Sequence, residues 1–122
     1  MVQKLNSTGS LWLDNNGYAY SYETQLTNHY KDLRVFNNTY YSITTRKHQA
    51  KFDRKSFDLI LNYCKYFTRL QPYEIEHAIK TELKILDYQL NELSKKRNTR
   101  KKAETILKIN NRKSELLAAL NK

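Results

Sequence analysis

Between residues 75 and 120 apolar side chains return every three or four positions, and this spacing constrains the fold more than any other feature of the chain. Ile75, Ile79, Leu83, Leu86, Leu90 and Leu93 form one stripe. Ala103, Ile106, Ile109 or Asn110, Leu116 or Leu117, and Leu120 form a second. Such a repeat places its members on one face of an α-helix, and that face has to be buried. Pro72 suits the first turn of a helix, and Glu74 and Glu76 complement the positive end of its dipole. Two helices of similar length joined by a short polar turn are therefore predicted to fold back as an antiparallel hairpin over residues 71–122.

The first half of the chain has a different period. It is rich in Tyr, Thr, Val and Phe in short alternating stretches, which favours strands. Leu11 to Leu13 reads as one strand, Asp14-Asn15-Asn16-Gly17 as its turn, and Tyr18 to Tyr22 as the returning strand. A third strand, Leu33 to Phe36, is expected to turn at Asn37-Asn38 into Thr39 to Ser42. The result is a small antiparallel meander over residues 10–43. One face of such a sheet needs a cover. Asp53 or Ser56 can cap a helix over about 54–69 with Phe57, Ile60, Leu61, Cys64 and Phe67 on one face, and this helix is expected to supply it. Cys64 reads there as a small buried hydrophobe. The fold class is thus α+β: a head over residues 1–70, a sheet packed on a helix, and a helical hairpin over residues 71–122.

Charge is unevenly distributed. The formal net charge is +10, yet residues 1–44 are neutral and residues 71–94 carry −3. The excess lies in residues 45–70, at +5, and in residues 95–122, at +8. Lys95, Lys96, Arg97, Arg100, Lys101 and Lys102 fall at the predicted tip of the hairpin. Like charges crowded at a turn repel one another, whereas a phosphate-bearing partner gains from them by releasing counterions. Arg46, Lys47, Lys51, Arg54 and Lys55 form a second basic group. If helical, Lys47, Lys51, Arg54 and Lys55 share a face and can track a backbone. A solvated surface explains this second group equally well. Tyr18, Tyr20, Tyr22, Tyr40 and Tyr41 offer rings for stacking unpaired bases, or a packed core on one side of the sheet.

Catalysis is not expected. His29, His48 and His77 are isolated from one another and from any Cys or carboxylate at ligand spacing, and the glycines Gly9 and Gly17 cannot build a phosphate-cradling loop. No metal and no cofactor is expected. The single Cys64 makes an intramolecular disulfide impossible and points to a reducing compartment. No apolar run follows Met1 and no stretch is long enough to span a membrane, so the expected location is the cytoplasm. The abundance of Asn, Lys, Ile and Tyr looks like an AT-rich genome and suggests a bacterial host.

Residues 17–48 carry a resemblance. Ser21-Tyr22-Glu23-Thr24, followed by Tyr41-Ser42-Ile43-Thr44-Thr45-Arg46-Lys47-His48, resembles a small uncharacterised domain found in short proteins of phages and other mobile elements. The resemblance covers about a quarter of the chain, excludes the hairpin, and brings no activity with it. What it implies is a setting: proteins of this kind act on host machinery, and anti-CRISPR inhibitors of RNA-guided nucleases are one such group. In that reading the partner is a Cas9-type nuclease with its guide RNA, gripped at RNA or heteroduplex phosphates by the tip. A general DNA- or RNA-binding role in replication or transcription control remains open beside it. So does a protein-interaction module whose hairpin stripes bury in a partner or in a second copy, giving a homodimer.

Overall fold

The computed structural model describes residues 2–65 and 67–122. The chain divides into two compact units, one reaching to Ala78 and the other covering Ile79–Lys122, and the boundary falls inside a long helix.

The first unit holds two small sheets. In one, β1 (Gln3–Lys4), β2 (Leu11–Leu13), β3 (Ala19–Ser21) and β4 (Thr24–Gln25) follow one another in antiparallel order. The turn between β2 and β3 forms where its composition predicts. Asp14 Oδ1 accepts from the backbone N–H groups of Asn16 (2.8 Å) and Tyr18 (3.0 Å), and Gly17 supplies a φ of +82°. The tight turn from β3 to β4 instead places Tyr22 at φ 54°, where the Trp12 indole N–H holds its carbonyl at 2.7 Å. In the second sheet, β5 (Thr27–Tyr30) pairs antiparallel with β6 (Leu33–Asn37), and β6 pairs in parallel with β7 (Leu59–Leu61).

A parallel pair needs a crossover, and here it contains α1 (Ile43–Gln49). Ser42 caps this helix, its hydroxyl accepting from the Thr45 N–H at 3.1 Å. Thr39 to Ser42 is therefore the entry to a helix and not the fourth strand that its composition predicts. Asn37 Oδ1 takes the Thr39 N–H at 3.1 Å and turns the chain out of the sheet.

The helix predicted over 54–69 does not form. Arg54–Ser56 make one 3-10 turn capped by Asp53, and Leu59–Leu61 become β7. Tyr66, which the predicted helix included, lies outside the described residues. The apolar run Leu59-Ile60-Leu61 has both leucines 1 % exposed and Ile60 partly buried, and periodicity cannot separate such a short run from a buried helix segment. What decides is that β6 has a free edge whose backbone groups need partners. The covering role passes to α1, whose Thr45 and His48 meet Ser21 of β3 and whose Gln49 amide donates to the Asn37 and Thr39 carbonyls. Leu11, Ala19, Leu26 and Phe36 form a core cluster, with Phe52, Phe57 and Ile60 packed on it.

The second unit is the hairpin that the stripes predict. α2 (Pro72–Ser94) begins in the first unit and continues through the second, and α3 (Arg100–Leu120) returns antiparallel to it. Arg112 bonds both Glu82 oxygens, at 2.6 and 3.0 Å, and Lys113 pairs with Asp87. Leu86, Ile109, Leu116 and Ala119 are buried, as members of the two stripes or neighbours of them.

Candidate nucleic-acid interface

The turn between α2 and α3 holds Lys95 to Thr99. Thr99 caps α3, its hydroxyl accepting from the Lys102 N–H at 3.1 Å. Sequence alone treats the six basic residues of this tip as equivalent, and the structure separates them. Lys95 pairs with Glu92 at 3.3 Å and Arg100 with Glu104 at 3.4 Å, both at exposed positions where such pairs contribute little. The Lys102 ammonium turns inward along the loop and donates to the Lys96 carbonyl (2.8 Å) and Asn98 Oδ1 (3.0 Å). Lys96, Arg97 and Lys101 are exposed and have no carboxylate partner among the described residues. Together with Lys102, Thr99 and Thr105 they line a cleft of about 370 Å³.

No acidic residue stands in the first turn of α3, where Arg100, Lys101 and Lys102 follow the cap. The N–H groups of a helix N-terminus carry partial positive charge, so cations there are unfavourable. The same N–H groups add to the cations in attracting an anion.

The second basic group does not lie on one helix. α1 ends at Gln49, so Lys47, Lys51, Arg54 and Lys55 do not share the helical face expected of them. Lys47, Lys51 and Lys55 are exposed. Arg46 and Arg54 are half-buried and converge on Asn38. Arg46 donates to Asn38 Oδ1 at 2.9 Å and to its carbonyl at 3.1 Å, and Arg54 donates to the same Oδ1 at 2.6 Å. Arg54 also reaches the Gln49 carbonyl at the end of α1, and its guanidinium lies 5.0 Å from the Phe36 ring centre. Asn38 is the point on which two arginines converge, and sequence reasoning reads it only as a turn. Its signal was an amide next to buried strand residues, which turn chemistry explained first.

The tyrosines divide as well. Tyr20 is buried, stacked on Trp12 at 4.4 Å with the Arg69 guanidinium 5.0 Å from its ring centre. Tyr41 is a structural hub: its hydroxyl accepts from Asn37 Nδ2 and donates toward the Cys64 and Phe67 carbonyls, and burial pushes its pKa up to about 12. Tyr18 contacts His29 at a ring separation of 5.7 Å. Tyr22 and Tyr40 remain exposed, at 54 % and 55 %. The five rings thus form no common platform.

Ser21, Thr45 and His48 come together from two distant stretches of sequence. Ser21 Oγ lies 2.7 Å from His48 Nδ1 and 3.1 Å from Thr45 Oγ1. All three are buried, Ser21 fully, so the contact fastens α1 to β3 and offers a substrate no access. Cys64 is buried too; its N–H donates to Thr39 Oγ1 at 2.9 Å.

Residues 2–62 match a family of unknown function, DUF8033. The chain belongs to this family. The match takes in both sheets, α1, and the basic group from Arg46 to Lys55, and it stops before α2. The tip cations lie outside the part of the chain that defines the family. No curated protein and no solved structure matches the chain. No helix is long and apolar enough to cross a membrane among the described residues.

Proposed function

We propose that the chain is a nucleic-acid-binding protein that grips the phosphate backbone with the tip of its C-terminal hairpin. The observation that carries this reading is the set Lys96, Arg97 and Lys101, three exposed cations without carboxylate partners around one cleft. Folding gains nothing from them, and two neighbours, Arg100 and Lys102, add positive charge at a helix end that disfavours it. A phosphate backbone turns each of these liabilities into an attraction.

The test replaces Lys96, Arg97 and Lys101 together by Gln and measures binding to labelled single- and double-stranded oligonucleotides by fluorescence anisotropy. Affinity is expected to fall at least tenfold at low salt while Tm does not fall, since all three side chains are exposed and removing the Lys101 charge relieves the N-terminus of α3. Unchanged affinity would remove the tip from the interface.

A further inference from the structure

We infer that the head carries a second anion site, in which Arg46 and Arg54 take a phosphate of a single nucleic-acid strand and Tyr40 stacks on the adjoining base. The inference rests on the nucleic-acid reading, but on a different surface and different residues.

The argument starts from charge. Two guanidiniums share one acceptor, Asn38 Oδ1, at 2.9 and 2.6 Å. Like charges this close repel, and neither has a carboxylate partner among the described residues. Asn38 is held in place by donating its own amide to Asn62 Oδ1 at 3.1 Å, so the acceptor is fixed and neutral. Part of the Arg54 charge is offset by the Gln49 carbonyl at the end of α1, the negative end of a short dipole. Arg46, in the last turn of α1, shares that dipole end and donates also to the Asn38 carbonyl; these are partial, neutral offsets, and neither supplies a counter-charge. Each guanidinium has five N–H donors, and the bonds named here leave some of them unused on both. A phosphate is the anion that matches a pair of guanidinium forks, by charge and by the spacing of its oxygens.

The second half of the site is aromatic. The Arg46 guanidinium lies 5.6 Å from the Tyr40 ring centre, and Tyr40 is 55 % exposed. A nucleotide presents a phosphate and a flat ring together, and only an unpaired base can be laid on a side-chain ring. Lys47, exposed one residue beyond Arg46, adds charge for the neighbouring phosphate. Lysines alone would mark a solvated surface. What distinguishes this place is a prearranged arginine pair beside an open ring.

The experiment records side-chain Nε–Hε signals of Arg46, Arg54 and the tip residue Arg97 and the ring signals of Tyr40 by NMR in the full chain, titrated with a thymidine hexanucleotide. It is repeated in the variant with Lys96, Arg97 and Lys101 changed to Gln. The expected result is that Arg46, Arg54 and Tyr40 shift in both proteins. Tyr40→Ala in the tip variant should then weaken binding about tenfold, and Tyr40→Phe should restore it. Tyr40 is the residue of choice because its ring is exposed, whereas loss of Arg46 or Arg54 would also free Asn38. Shifts confined to the tip, with Arg46, Arg54 and Tyr40 unmoved at saturation, would overturn the head site and leave the proposed function standing. No shift at either place would overturn both.

Discussion

At the scale of single residues, the burial of His48 gives the head a pH dependence. Burial, and after it the charge of Lys51, holds the His48 imidazole below its ordinary pKa. The unfolded chain therefore takes up this proton near the ordinary histidine value of about 6.5, while the folded chain resists it. The sign follows: the contribution of His48 to stability is fully present above about pH 6.5 and declines as pH falls below it. Chemical denaturation between pH 5 and 8 should show that decline, and His48→Gln should flatten it. An identical slope in the variant would mean that another group sets the acid response. Lys51 is visible along the chain, three residues on, but the burial that dominates is not. The burial arises only in the fold, where His48 Nδ1 packs 2.7 Å from Ser21, 27 positions earlier.

At the scale of elements, the tip sets stability against binding. The first turn of α3 carries three cations after its Thr99 cap. Changing Lys101 to Glu places a negative charge where the dipole favours one, and should raise stability by about 0.3–1 kcal/mol at low ionic strength. The same change should lower oligonucleotide affinity. Thermal unfolding and anisotropy on one sample check both, and a loss of stability would contradict the dipole argument. The hairpin itself was legible because its stripes run for several turns and Pro72 marks the first turn of α2. The turn Asp14 to Gly17 was legible because one side chain and one glycine build it. Residues 54–69 were not. There Asp53 offered a true cap and the apolar spacing fitted a helix, but the edge of β6 claimed Leu59–Leu61 as a parallel partner.

At the scale of the whole molecule, the charge of +10 matters less than where folding leaves it unpaired. Arg112 and Lys113 are consumed by Glu82, Glu115 and Asp87 within the hairpin, and Arg34 by Asp58 in the head. If Lys96, Arg97 and Lys101 each neutralise one phosphate, log affinity should fall against log salt with a slope of about −2 to −3. Binding that ignores salt would favour an apolar contact, for which Tyr88, Leu107 and Leu117 are the exposed candidates on the hairpin. By itself the sequence determined the α+β class, the helical hairpin with its basic tip, and strands β2 and β3 with their turn, because those depend on periodicity, turn chemistry and charge between near neighbours. Tertiary structure alone decided the parallel strand β7, the early helix α1, the Ser21–His48 contact, and the Arg46–Asn38–Arg54 cluster. Apart from α1, whose cap and hydrogen bonds are local, each of these joins residues distant in the chain, through hydrogen bonds whose partners exist only after the sheets have formed.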